Sequence, residues 1–225
     1  MTGQAPWDRE ARELFRAARE PRALAVAVMT FHRRVDDILE ASIHGHAVKI
    51  DCTRGCSYCC HLPVQVAPHE AFSLAAWLRR NFDAPRLASV LAKLAQNAAT
   101  TRALGAEGRK HVNLPCALLG DDGACSAYAA RPAQCRRFHS TRVETCKASF
   151  ADPADDGIEA PMHPAVAHNA AVIITQAQHA ARAAGFDAEP VDMNLALIEA
   201  LENPKAWRRW RDGKKPFVGE SSAAA

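Results

Sequence analysis

The chain has 225 residues, 48% of them hydrophobic, with eight cysteines and a formal net charge of +3. That length allows one domain, at most with a small appendage, and the apolar fraction suffices for a core. So small a charge gives no electrostatic case for nucleic acid, and apolar runs such as Ala23 to Met29 fall far short of the roughly 20 residues a membrane helix needs.

The N-terminal stretch MTGQAPWDREARELFRAARE is dense in charge and lacks the apolar core of a secretory signal, so the expected location is cytoplasmic. Ala11, Leu14, Phe15 and Ala18 recur at helical spacing and predict a first amphipathic helix. Pro21 opens a second, with a stripe through Leu24, Val28, Phe31, Val35 and Ile38 and a stop near Gly45. Ala47 to Asp51 reads as short and extended. It leads into the sequence DCTRGCSYCCH, residues 51–61, which holds Cys52, Cys56, Cys59 and Cys60.

Leu62 to Ala67 alternates like a short strand, and Pro68 then fits the first turn of a helix buried through Ala71, Leu74, Ala75 and Leu78. Asp83 suits the N-cap of the next, which runs through Leu87, Val90, Leu91, Leu94 and Ala98 and stops at Gly105. These two helices are expected to form an antiparallel pair that returns the chain to its starting point. Leu114 to Phe150 loses periodicity, gains turn signals such as Gly120-Asp121-Asp122-Gly123, and holds Cys116, Cys125, Cys135 and Cys146. Helices resume at Pro164, ending at Gly185, and after Asp192, ending at Pro204. The expected fold class is mainly α: one helical domain with an irregular, cysteine-rich metal-binding segment. Residues 1–46 form N-terminal helices, 47–150 the cysteine-cluster core, 151–217 C-terminal helices packed on the same domain, and 218–225 a disordered tail.

Cysteines in a reducing compartment are better candidates for metal ligands than for disulfides. Adjacent Cys59 and Cys60 also suit no mutual disulfide. Thiolates two or three residues apart can curl around one ion or cluster, so two groups of four suggest a single site built from Cys52, Cys56, Cys59, Cys60, Cys116, Cys125, Cys135 and Cys146. The second group is loose, with gaps of eight, nine and ten residues, whereas structural zinc usually arrives as two tight knuckles. That leans toward iron, as an iron–sulfur cluster such as [4Fe–4S], or toward two metals sharing eight thiolates; zinc stays open.

The combination of Cys56-x2-Cys59-Cys60, Pro115-Cys116 with Leu118-Leu119, Gly123 before Cys125, Tyr128, and Arg131-Pro132 before Cys135-Arg136 and Phe138 resembles the YkgJ-like cysteine-cluster family. Its CxxCxxCC domain is described as zinc- or iron-chelating, and the similarity runs from about Asp51 to Cys146. The three-residue gap between Cys52 and Cys56 departs from the family pattern. The resemblance implies a metal-binding protein. A similar cluster occurs in flagellin lysine N-methylases that use an iron–sulfur cluster, which supplies the alternative of an iron–sulfur enzyme acting on a protein; an adaptor with a purely structural metal is the third reading. No glycine-rich nucleotide fingerprint supports methyltransfer. The Cys52-x3-Cys56-x2-Cys59 spacing also resembles the radical-SAM motif, but the helical sequence around it does not fit that chemistry's α/β barrel.

Around the thiolates, Arg54, Arg131, Arg136 and Arg137 are placed to offset negative charge, with exposed arginines as the alternative for Arg54 and Arg137. His61 and His139 lie close enough in sequence to replace a thiolate, against an ordinary hydrogen-bonded role. The basic aromatic segment Lys205 to Lys215 reads as a docked terminal helix rather than a nucleic-acid surface. A protein partner is compatible with the sequence; a membrane is not expected.

Overall fold

The computed structural model describes residues 4–158 and 161–217, so the predicted disordered tail lies outside the described residues. The chain is mainly α, with nine helices among those residues. Helix α1 (Gln4–Ala17) buries Trp7, Ala11 and Phe15, and α2 (Pro21–Gly45) buries the stripe Leu24, Val28, Phe31 and Val35. Both pack on α7 (Pro164–Ala183), the longest contact in the molecule being α2 against α7. Prolines stand in the first turn of α2 and α7, where a missing N–H costs no hydrogen bond.

A second group of helices is centred on α8 (Met193–Glu202). Helices α3 (Pro68–Asn81) and α4 (Ala84–Lys110) pack principally on α8 and not on one another, so the expected antiparallel pair is a three-helix arrangement. The apolar faces of α3 and α4 are both real; α8, coming from far along the chain, fills the space between their roles. Asp83 caps α4 by accepting from Arg86 N at 2.9 Å, and Asp192 caps α8 by accepting from Asn194 N and Leu195 N. Gly105, in the left-handed region, interrupts α4 as the sequence suggests, but the helix resumes through Lys110. The strand at Leu62–Ala67 shortens to β1 (Gln65–Val66), paired antiparallel with β2 (Val191–Asp192).

Pro204 opens a further helix, α9 (Pro204–Arg211). Its Trp210 is fully buried, stacks on Phe186 at 4.3 Å and donates Nε1–H to the Asp187 carbonyl. The basic segment therefore docks through its tryptophans. The irregular segment contains two short helices, α5 (Ala133–Arg137) and α6 (Val143–Ala151), each carrying one cysteine. Five or nine residues give too little periodicity to announce a helix from sequence. One hydrophobic core takes residues from every helix except α6.

Within that core, His69 is fully buried edge-on between Phe15 and Phe31, and among the described residues neither ring nitrogen has a hydrogen-bond partner. Burial pushes its pKa down to about 4 from an ordinary 6.5. Between those values the unfolded chain binds the proton that the folded chain excludes, so stability present above about pH 6.5 is lost as pH falls toward 4. The difference corresponds to roughly 3 kcal/mol at about 1.4 kcal/mol per pKa unit. Urea midpoints at pH 7 and pH 4 should therefore separate less for His69→Leu than for the natural chain; an equal separation would remove His69 as the source.

Candidate metal centre

The first cysteine arm leaves α2 through Ala47, an uncommon non-glycine residue at positive φ, and runs extended to Cys52. Asp51 N donates to the Ser140 carbonyl at 2.9 Å, and Ser140 N donates to Cys52 Sγ at 3.3 Å. The carboxylate of Asp51 accepts from Val143 N, the first residue of α6. Asp51 thus holds the helix bearing Cys146 against the segment bearing Cys52. Cys56 follows the turn at Gly55, and Cys59 and Cys60 lie on the 3-10 turn Tyr58–His61.

The second arm is tied to the first by backbone bonds. Cys116 N donates to the Cys60 carbonyl at 2.8 Å, and Leu114 N to the His61 carbonyl at 3.4 Å. Arg109, only 4% exposed, donates to the carbonyls of His61, Val112 and Leu114, binding the end of α4 to both arms. Cys125 pairs with Leu119 in an isolated bridge. Cys135 rides on α5, whose first amide, Ala133 N, donates to Glu70 Oε1 at 2.7 Å. That same oxygen meets His32 Nε2 at 2.9 Å, and Glu70 is itself buried. Burial pushes the Glu70 carboxyl up, but the hydrogen bond and charge of His32, the charge of His69 and the Ala133 amide outweigh it, so its pKa is held below the ordinary value.

All eight cysteines are free thiols, Cys52 exposed and the other seven half-buried. Their charges act on one another across the two arms. Cys52 faces Cys56, Cys59 and Cys146. Cys116 faces Cys125 and Cys59, and Cys135 faces Cys116, Cys125 and Cys59. Cys59 belongs to both neighbourhoods and is hydrogen-bonded with Cys60, the largest cause of a thiol pKa pushed far up. Burial raises Cys52, Cys125 and Cys135 and takes Cys116 to about 11. Among the described residues no three His, Cys, Asp or Glu side chains already stand as a metal-ion site. Thiols with raised pKa values crowd one another here, and the donor set fits a soft or borderline cation that would convert them to thiolates.

Of the arginines, Arg131 alone is placed to act on the thiols: its charge lowers the pKa values of Cys59 and Cys125 against the larger effects that raise them, while its guanidinium lies 4.0 Å over the Tyr128 ring. Arg136 pairs with Asp36 at 2.5 Å and donates to the carbonyls of Arg131 and Ala129, so its charge is used to brace α5 on α2 and the loop. Arg137 donates to Gln134, and Arg54 is exposed. His139 holds the Arg137 carbonyl through Nδ1 and accepts from His163 N through Nε2, which uses both ring nitrogens. His61 places Nδ1 on the Ser57 carbonyl and packs on Phe150. Asp51, Glu70 and Arg109 are organising residues that the cysteine pattern did not indicate; an acid just before the first cysteine and another in the first turn after Pro68 were their only traces.

A cysteine-rich region of two arms carried on a helical scaffold is what this arrangement defines. Residues 51–153 match the CxxCxxCC family model, described as "Putative zinc- or iron-chelating domain". Comparison with curated proteins and with solved structures gives no match.

The two arms also approach each other where two glycines face. A Cβ at Gly123, whose φ is +74°, would stand 2.8 Å from the Gly55 carbonyl oxygen. Gly105 has a similar φ of +68° but open space around it. Both Gly→Ala variants should lose roughly 1–3 kcal/mol from the backbone alone. Gly123→Ala should in addition lose bound metal, measured by elemental analysis, while Gly105→Ala retains it; equal metal content in the two would show that this close approach does not hold the arms together.

Proposed function

We propose that the protein binds zinc or iron through its eight cysteines, divided between two adjacent subsites that share Cys59. Cys52, Cys56 and Cys146 would complete one with Cys59; Cys116, Cys125 and Cys135 would complete the other, with Cys60 beside the junction. The observation that carries this reading is that the two arms are joined by Cys116 N donating to the Cys60 carbonyl and Ser140 N donating to Cys52 Sγ, with the charge of Cys59 acting on Cys52 as well as on Cys116 and Cys135. A bound metal supplies the positive charge that this crowding of thiolates lacks. The loose spacing of the second arm favours iron, as ions or an iron–sulfur cluster, over paired zinc knuckles.

Chelation is favoured over catalysis on a protein by the space beside the thiols. The cavity against Cys59 and Cys146, walled by Tyr58 and Phe150, has a volume of about 50 Å³. A water occupies about 30 Å³ in the liquid, so this space suits an ion's remaining ligand and not a substrate side chain with its flanking backbone.

Iron–thiolate centres absorb visible light and d¹⁰ zinc does not, so protein purified without oxygen should be brown and contain iron. Cys59→Ser should then remove more of the metal and colour than Cys146→Ser, which should spare the second subsite. Colourless protein with stoichiometric zinc would sink the iron reading, and equal losses in the two variants would reject the shared role of Cys59.

Metal binding by structural zinc sites contributes roughly 10–16 kcal/mol, comparable with a domain's whole stability of about 5–15 kcal/mol. Stripping the metal with a strong chelator should therefore expose residues 111–151 to protease while the core of α1, α2 and α7 stays protected. Unchanged cleavage of that segment would mean that metal does not organise it.

A further inference from the structure

A second cavity, of about 340 Å³, is lined by residues of β1, the end of α4, α5, α7 and β2. Its volume falls at the lower end of the range of small-molecule sites, roughly 300–1,000 Å³. Glu70, Arg109, Lys110, Gln134, Gln178 and Asp192 are among its walls. Glu70 and Arg109 are 5% and 4% exposed, so two unlike charges sit deep in the protein with little water to solvate them.

Among the described residues, both hydrogen bonds of the Glu70 carboxylate go to Oε1, one from Ala133 N and one shared with His32 Nε2; Oε2 has none. Asp192 likewise spends Oδ1 on the amides that open α8. A second cation, Lys110, is exposed and, among the described residues, paired with Glu107 of its own helix. The cavity thus presents two carboxylates and two cations in balance, with amide groups from Gln134 and Gln178 among them.

We infer that this cavity binds a small zwitterion of the free α-amino acid type, its ammonium taken by Glu70 and Asp192 and its carboxylate by Lys110 and Arg109. A ligand carrying one charge would meet only one of the two buried charges, Glu70 or Arg109, and buried charge without a counter-charge is costly. The assignment does not rest on metal binding. It does place the ligand next to the second cysteine arm: Gln134 precedes Cys135, Glu70 holds the first amide of α5, and Arg109 holds the carbonyls of His61 and Leu114.

The test is thermal denaturation and titration calorimetry of the full chain, as purified, against each of the common α-amino acids at millimolar concentration. Every hit is repeated with its deaminated acid and its decarboxylated amine. At least one amino acid should raise Tm by roughly 2–4 °C, and neither single-charge analogue should match it. Gln178→Trp, which fills the cavity at a side chain with no hydrogen bond among the described residues, should abolish the shift while metal content and helicity stay at the natural level. Should that variant fold poorly, Lys110→Met at an exposed position should weaken calorimetric binding several-fold. No response to any amino acid, an equal response to an acid or amine analogue, a shift that survives in Gln178→Trp, or unchanged affinity in Lys110→Met would each overturn the assignment.

Discussion

Two carboxylates distant in sequence from the helices they support hold the cysteine region in shape. Glu70 accepts from the first amide of α5, and Asp51 accepts from the first amide of α6. Helices of five and nine residues are too short to be stable alone, and neither has a capping side chain of its own. A carboxylate at the N-terminus satisfies an otherwise unpaired N–H and meets the positive end of the helix dipole. The two acids therefore fix the positions of Cys135 and Cys146 through the backbone, with no direct bond to either sulfur.

The thiols themselves oppose that arrangement. For Cys59, Cys116, Cys125 and Cys135, neighbouring sulfurs and burial raise the proton affinity, and Arg131 lowers it at Cys59 and Cys125. A scaffold that crowds thiols whose ionisation it disfavours has stored a demand for positive charge. On the proposed reading a thiolate-preferring cation would meet that demand and release protons as it entered, so acid would compete with metal for the same sulfurs.

Much of the scaffold was legible before any coordinates. Local signals, such as Asp83, Asp192, Pro21, Pro68 and Pro164, marked helix starts that the structure keeps, because capping is chemistry within a few residues. The apolar stripes of α1, α2 and α7 were likewise plain from periodicity. What sequence could not show was long-range: α8 receiving both α3 and α4, or the caps of α5 and α6 arriving from residues 70 and 51. The same limit applied to charge. Arg136 looks like a thiolate neighbour by its place beside Cys135, yet its guanidinium turns to Asp36, one hundred residues away, and it is Arg131 that lowers the pKa values of Cys59 and Cys125.

The contact between Gly55 and Gly123 also bears on the order in which the protein is made. These residues stand at the tips of two arms separated by the whole of α3 and α4. Loops closed over such distances form late, after local helices, because their entropy must be met before their contacts exist. Synthesis from the N-terminus therefore presents Cys52, Cys56, Cys59 and Cys60 well before Cys135 and Cys146 leave the ribosome. During that interval the first four thiols are solvent-facing ligands without partners. Their protection from the wrong ion or from oxidation depends on how quickly the glycine contact closes.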